Sequence, residues 1–406
     1  MESVNNKKKW IILAILFAAW FVGYCDKVAI NVAVIPMSKE FGLNPTQIGL
    51  IISAFSTGMA ITALLGGFFA DKFGSKKVLL FAIIVWSLFS GFTSIASSFT
   101  MLVALRFIYG GAEGFFPPAS SVTIAENFKK EEFGRTKSFL LASGQLGTAF
   151  GTLIVSYLAA AGGWRMAFIA FGGLGLLIAL ALAIVDRGEK RGTNVQAKPK
   201  AAKVPLKEVF KNSITWKVPL IQFGGGFFMW GLNSWLPQYW VKVKHLDLKQ
   251  MGAYSMFPTL AGFAVMLIAG WLLDKYFAGR EKHLLIGALA FSAFFVFMMY
   301  NANSIVLGFL YNALANLGIA MMAPVNYALI LKYVDRKVIG SSTGLITFMS
   351  GMAGIVAPTA MGYSITLLNG SYAAVFGMII VICIICMLIA ATINTNQQNK
   401  SQAVEN

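Results

Sequence analysis

Residues 47–77 read QIGLIISAFSTGMAITALLGGFFADKFGSKK. Gln47–Ala70 holds no charged residue, and the positions that follow hold Asp71, Lys72, Lys76 and Lys77. A helix rises about 1.5 Å per residue, so an uncharged run of this length covers the roughly 30 Å of a bilayer's hydrocarbon core. Gly74 and the charges then close it in a short polar turn. Similar apolar runs recur on both sides, at Trp10–Tyr24, Val78–Ile95, Phe171–Val185, Leu284–Tyr300 and Ala373–Ile393. Strands of a membrane barrel would be about ten residues long with alternating polarity, a pattern these runs lack. Of the 406 residues, 57% are hydrophobic and 12% charged, about half the charge of a soluble domain. The sequence therefore predicts an all-α membrane protein with twelve spans, near 10–36, 47–70, 78–96, 100–127, 137–161, 164–186, 214–241, 251–273, 283–300, 304–332, 338–367 and 372–393.

The net charge of +17 follows this topology rather than a nucleic-acid partner. Sorted by alternate sides of the spans, 26 of the 33 Lys and Arg fall on the side that holds both termini and five on the other. Lys27 and Arg106 fall inside spans. Basic residues gather on the cytoplasmic side, so both termini are expected inside, with the lipid bilayer as the main surroundings and no nucleic acid. Lys7–Lys9 before an apolar run resembles a secretory signal, but the run continues past Asp26 to Pro36 without a small-residue cleavage site and reads as a retained first helix.

The longest polar stretch between spans, from Asp186 to Asn212, is rich in Lys, Gly, Ala and Pro. It divides the chain into an N-terminal six-helix bundle (1–186), a cytoplasmic linker (187–213) with an amphipathic piece at Pro205–Phe210, a C-terminal six-helix bundle (214–393) and a cytoplasmic tail (394–406). The halves echo each other. GFFADK from Gly67 matches GWLLDK from Gly270, Pro117 matches Pro324, and the glycines of 144–151 match Gly351, Gly354 and the Pro358 neighbourhood. Parallel repeats of this kind build transporters whose substrate site lies near mid-membrane. The stretch GGFFADKFGSKK, with Gly67, Asp71, Gly74, Lys76 and Lys77 as its conformational loop residues, resembles the motif between helices two and three of the major facilitator superfamily. Glycines let helix ends approach, Asp71 can cap or pair with a neighbouring helix end, and the lysines face the cytoplasm. Ser75 stands where that superfamily often has Arg.

Nearly all the acids lie in loops or at helix ends, apart from Asp26 beside Lys27 in the first span and Glu113 in the fourth. Charges in hydrocarbon are costly and mark wet pathways. Arg106 and Glu113 are seven residues apart, two turns on one helical face. A purely structural lock is the alternative reading, but the C-terminal half offers no intramembrane charge to complete a symmetric one. Tyr24-Cys-Asp26-Lys27, the run from Arg106 through Glu113-Gly to Pro117, Trp235-Leu-Pro237-Gln-Tyr239, and Ser342-Thr-Gly344 through Pro358 together resemble the anion:cation symporter family, which includes bacterial sugar-acid transporters. That resemblance implies Asp26 and Glu113 as the proton-coupling pair, with Lys27 and Arg106 meeting the substrate's acid group. Lys27 replaces the usual Arg, Met59 a common Tyr and Thr347 a common Asn.

The expected activity is import of a small organic anion, of hexuronate or aldonate type, by proton symport and alternating access. A drug/proton antiporter and a transporter of a non-sugar carboxylate are the alternatives. Gln145, Asn233, Trp235, Gln238, Tyr239, Asn326, Tyr327 and Thr347 are the candidates for substrate specificity, and interhelical hydrogen bonds are their other use. Pro117–Pro118, Pro237, Pro258, Pro324 and Pro358 are expected to kink their helices. Cys383 and Cys386 sit in an apolar helix without His or acid nearby, and His245 and His283 have no ligand-like neighbours, so no metal or cofactor is expected. The chain has no phosphate-cradling loop, nucleophile elbow or His cluster, so it is read as neither an enzyme nor an ATP-driven pump. A monomer in the cytoplasmic membrane of a bacterium satisfies everything the sequence shows.

Overall fold

A computed structural model describes residues 6–129, 132–185, 212–277, 279–334 and 338–393. Among them lie thirteen helices: α1 (Asn6–Glu40), α2 (Pro45–Phe73), α3 (Ser75–Thr93), α4 (Phe99–Glu113), α5 (Phe116–Asn127), α6 (Phe133–Gly162), α7 (Trp164–Val185), α8 (Ile214–Lys242), α9 (Leu248–Tyr276), α10 (Glu281–Tyr300), α11 (Ile305–Tyr333), α12 (Ile339–Leu367) and α13 (Ala373–Ala391). They overlie the twelve expected spans, with α4 and α5 together forming the fourth. Among the described residues, ten spans are long and apolar enough to cross a membrane. Of the other two, each 29 residues long, α8 interrupts its apolar stretch with Gln222, Asn233 and Gln238, whereas α9 carries no charged residue from Gln250 to Leu273. The expected linker lies outside the described residues except for Asn212 and Ser213, and so does the whole expected tail.

Local chemistry sets the helix boundaries. Asn44 caps α2 by accepting from the Gln47 backbone N–H, and the Gln47 side chain accepts from the Asn44 N–H in return. Gly74 separates α2 from α3 with a φ of 88°, in the region where only glycine is unstrained. Helix α4 stops at Glu113 and α5 begins at Phe116. Pro117 and Pro118 lack the N–H groups that would reach back to the carbonyls of Glu113 and Gly114. Of the expected kinks, this pair alone interrupts a helix among the described residues: α8, α9, α11 and α12 run through Pro237, Pro258, Pro324 and Pro358.

The Cα framework forms two compact units. The first takes residues 1–197 together with Ser234–Met256 and Pro358–Tyr363. In it α1 packs along α6, α2 along α4, and α3 along α7. Helix α6 comes close because its facing residues are glycines: a Cβ on Gly147 would sit 2.5 Å from the Phe21 carbonyl oxygen. The two later stretches join this unit through the Trp235 indole, which donates to the Pro358 carbonyl at 3.0 Å, and through Thr359, which donates to Ser53 at 2.8 Å. The second unit takes Lys198–Asn233, Phe257–Ala357 and Ser364–Asn406, with α10 packed between α11 and α13. Large side chains such as Phe68, Leu177 and Leu388 remain more than 60% exposed, as faces turned to lipid would be.

The internal repeat is visible in the hydrogen bonds. Ser75, at the start of α3, donates to Glu126 near the end of α5 at 2.7 Å. Positions 206 residues later, Glu281 at the start of α10 accepts from Lys332 near the end of α11 at 2.9 Å. The tie has the same place in each half and different chemistry. Asp71, expected to cap or pair, is exposed and makes no ion pair among the described residues; the acid tied to the start of α3 is Glu126.

Candidate functional site

The buried charges of the first unit gather where α1, α4, α3 and α7 meet. Arg106 is fully buried, and its Nη2 donates to Asp26 Oδ1 at 3.3 Å. The Ser90 and Tyr109 hydroxyls also lie against the Asp26 carboxylate. The Arg106 guanidinium sits over the rings of Tyr109 and Phe168, at 4.8 and 5.0 Å, and its Nε and Nη1 have no hydrogen-bond partner among the described residues. Tyr109 in turn donates to the Gly23 carbonyl at 3.1 Å, which fixes α4 against α1 beside the ion pair.

Lys27 is held by a different set of side chains. Its ammonium lies 4.6 Å from the Tyr24 ring centroid and 4.9 Å from that of Phe55, an aromatic box that suits a cation removed from water. Glu113 is fully buried, and both of its carboxylate oxygens lack a hydrogen-bond donor among the described residues. The charges of Lys27, Asp26 and Arg106 all act on it. Two acids and two bases share one interior region, but their bonding is unequal: Asp26 is paired with Arg106, while Glu113 accepts no hydrogen bond among the described residues.

The specificity candidates divide. Gln145 is half-buried on α6, and Met59 half-buried on α2. The Trp235 N–H is used by Pro358. Gln238 is fully buried; its oxygen accepts from Lys242 at 3.2 Å and its Nε2 has no partner among the described residues. Tyr239 is buried against Trp240. In the second unit Asn326 donates to Gln222 at 2.8 Å, and its own oxygen has no hydrogen-bond partner among the described residues. Asn233 and Thr347 are exposed, Thr347 donating back to Thr343 within its helix, and Tyr327 is 38% exposed. Reading for charges passed over Asn31, one turn beyond Lys27 on α1, whose Oδ1 is buried without a donor. An amide four residues from an intramembrane lysine was the signal available.

The family model of the Major Facilitator Superfamily matches residues 15–358. The chain belongs to that superfamily. A probable sulfoacetate transporter of Cupriavidus necator is 30% identical over 397 residues, covering 90% of this chain and 89% of that one. A probable galactarate/D-glucarate transporter of Escherichia coli is 28% identical, with 89% and 88% covered. Among solved structures, a bacterial homologue of the human lysosomal transporter Spinster, inward-facing and occupied, superposes with a TM-score of 0.80 at 17% identity over 94% of this chain and 95% of that one. The likeness to that structure is one of fold.

Proposed function

We propose that this protein imports a small organic anion together with protons, by alternating access, across the cytoplasmic membrane of a bacterium with both termini inside. The observation that carries the proposal is the pairing pattern at the buried charges. Arg106 is held by Asp26 yet keeps two N–H-bearing nitrogens unpartnered, while Glu113 waits nearby without a hydrogen-bond donor. An ionised carboxylate in that condition is costly, and taking a proton removes the charge. A proton on Glu113, followed by one on Asp26, frees the Arg106 guanidinium. Its planar fork then receives the acid group of a substrate. Lys27 adds a second positive charge, so an anion enters a site that is net positive once the acids are neutral. When the site opens inward, anion and protons leave and the Asp26–Arg106 pair re-forms.

Relatives that carry sulfoacetate, galactarate or glucarate in their names support an organic acid as cargo. A carboxylate has two anionic oxygens in a plane and a sulfonate three in a pyramid; each offers a guanidinium a pair of acceptors, so Arg106 accommodates either. The test is uptake of radiolabelled sulfoacetate, galactarate, D-glucuronate and D-gluconate into proteoliposomes, with and without an inward proton gradient. Uphill accumulation of one of them is expected, lost with an uncoupler and in Glu113→Gln. In that variant, exchange of external for internal anion is expected to persist. Unchanged uphill uptake by Glu113→Gln would remove Glu113 from the coupling.

A further inference from the structure

Asn31 has no place in the ion pair or in the proton step, yet it lies one turn beyond Lys27 on the same face of α1. Residues four apart on a helix are neighbours, with Cβ atoms about 6 Å apart. Its Oδ1 is sealed from solvent and receives no hydrogen bond among the described residues, while the residue as a whole is only half-buried. Inside a bilayer an unsatisfied amide oxygen has no lipid group to turn to, so its donor must come from water or from a ligand.

The surroundings restrict what that donor is. An anionic oxygen would be repelled by Oδ1, which can only accept. A cationic donor would lie one turn from the Lys27 ammonium, itself already held over Tyr24 and Phe55. A neutral group that both donates and accepts fits the amide's two ends, and a hydroxyl is the smallest. With the acid group of a substrate drawn to Arg106 and Lys27, the first carbons of that substrate come within reach of Asn31.

We propose that Asn31 is the specificity residue that reads a hydroxyl on one of the first two carbons beside the substrate's acid group, so that hydroxy acids are preferred to unsubstituted ones. This rests on the anion-transport reading above. The experiment measures binding rather than transport, with purified full-length protein titrated with D-gluconate, 2-deoxy-D-gluconate and 3-deoxy-D-gluconate. Wild type is expected to bind one of the two deoxy acids at least tenfold more weakly than gluconate, since a site built around a hydroxyl leaves its polar atoms unpaired when it is missing. In Asn31→Leu and Asn31→Ala the ratio is expected to fall below threefold, mainly by weaker gluconate binding. Asn31→Ser is expected to restore part of it. The deoxy acid that wild type binds weakly serves as the folding control, because it lacks the hydroxyl in question and its affinity is expected to change little in the variants. Equal binding of all three acids by wild type, or a ratio unchanged in both variants, overturns the role of Asn31 and leaves the anion reading standing. Absence of binding by all three, in wild type, overturns the inference together with the choice of organic acid as ligand.

Discussion

Replacing Arg106 by leucine takes the partner from a carboxylate whose side chain is 3% exposed. A buried charge stripped of its partner costs about 3 to 5 kcal/mol. The variant has one escape, which is to put a proton on Asp26. From the ordinary carboxylate value of about 3.9, protonation at pH 7 costs about three pH units at 1.36 kcal/mol each, or roughly 4 kcal/mol. The cheaper route governs, so Arg106→Leu is expected to lose about 3 to 4 kcal/mol at pH 7. Along the protonation route the folded variant holds a proton that the unfolded chain does not. Its stability relative to wild type therefore rises as pH falls, by about 1.4 kcal/mol per unit down to about pH 4. Unfolding in mixed micelles can be followed through a thiol-reactive dye, because Cys25, Cys383 and Cys386 are all buried until the fold opens. A second variant completes the cycle: Asp26→Asn with Arg106→Leu is expected to recover at least 2 kcal/mol of the loss, since no charge is left behind. A loss below 1 kcal/mol, a flat difference from pH 7 to pH 5, or additive losses in the double variant would refute the reasoning.

Other perturbations test separate parts of the structure. Gly147→Val places a branched side chain against the Phe21 carbonyl and is expected to cost about 2 kcal/mol or more by forcing α6 from α1, read in the same unfolding assay. At the chain's repeated ties, Lys332→Met is expected to cost about 1 to 2 kcal/mol, because Glu281 loses its ammonium partner while keeping the Gly279 N–H and the Tyr333 hydroxyl. Ser75→Ala is expected to cost about 1 kcal/mol and, unlike Lys332→Met, to show no change with salt concentration. At the other surface tie, Lys9 and the Lys129 backbone N–H hold the Glu132 carboxyl below its usual range. That contribution is complete above about pH 4.3, the unfolded value, and is lost as pH falls through the lower folded value. Glu132→Gln is expected to differ from wild type at neutral pH and to match it in strong acid, a comparison that a pH series of unfolding curves provides.

The uncharged runs made the helices legible. A stretch such as Gln47–Ala70 has one stable state in lipid, and the glycines and charges that close it mark its end. The stripe shared by Arg106 and Glu113 was legible for the same reason, since helical periodicity says which residues share a face. It does not say which helix that face meets. Arg106 reaches Asp26 across 80 positions of sequence, and nothing local chooses Asp26 over Glu113. Ser75 finding Glu126, and Trp235 spending its N–H on Pro358, are likewise decided by packing between distant helices. Asn31 was passed over because an uncharged amide is cheap enough inside a helix bundle to look ordinary; its unpartnered oxygen becomes visible only when the neighbours are in place.

The polar interruptions of α8 bear on how the chain is made. As the ribosome extends it, a sufficiently apolar segment leaves the protein-conducting channel sideways into lipid on its own account. Helix α8 is weak by that measure, because Gln222, Asn233 and Gln238 interrupt its apolar stretch, whereas α9, which follows after residues 243–247, carries no charge from Gln250 to Leu273. Helix α8 gains less from lipid than the other spans, so it is expected to wait for α9 or for helices already in place to shelter Gln222, Asn233 and Gln238. Biogenesis of this protein therefore has a slow point at the start of its second half. A ribosome stalled between the two helices would leave a nascent chain whose newest span returns to water rather than remaining in the bilayer.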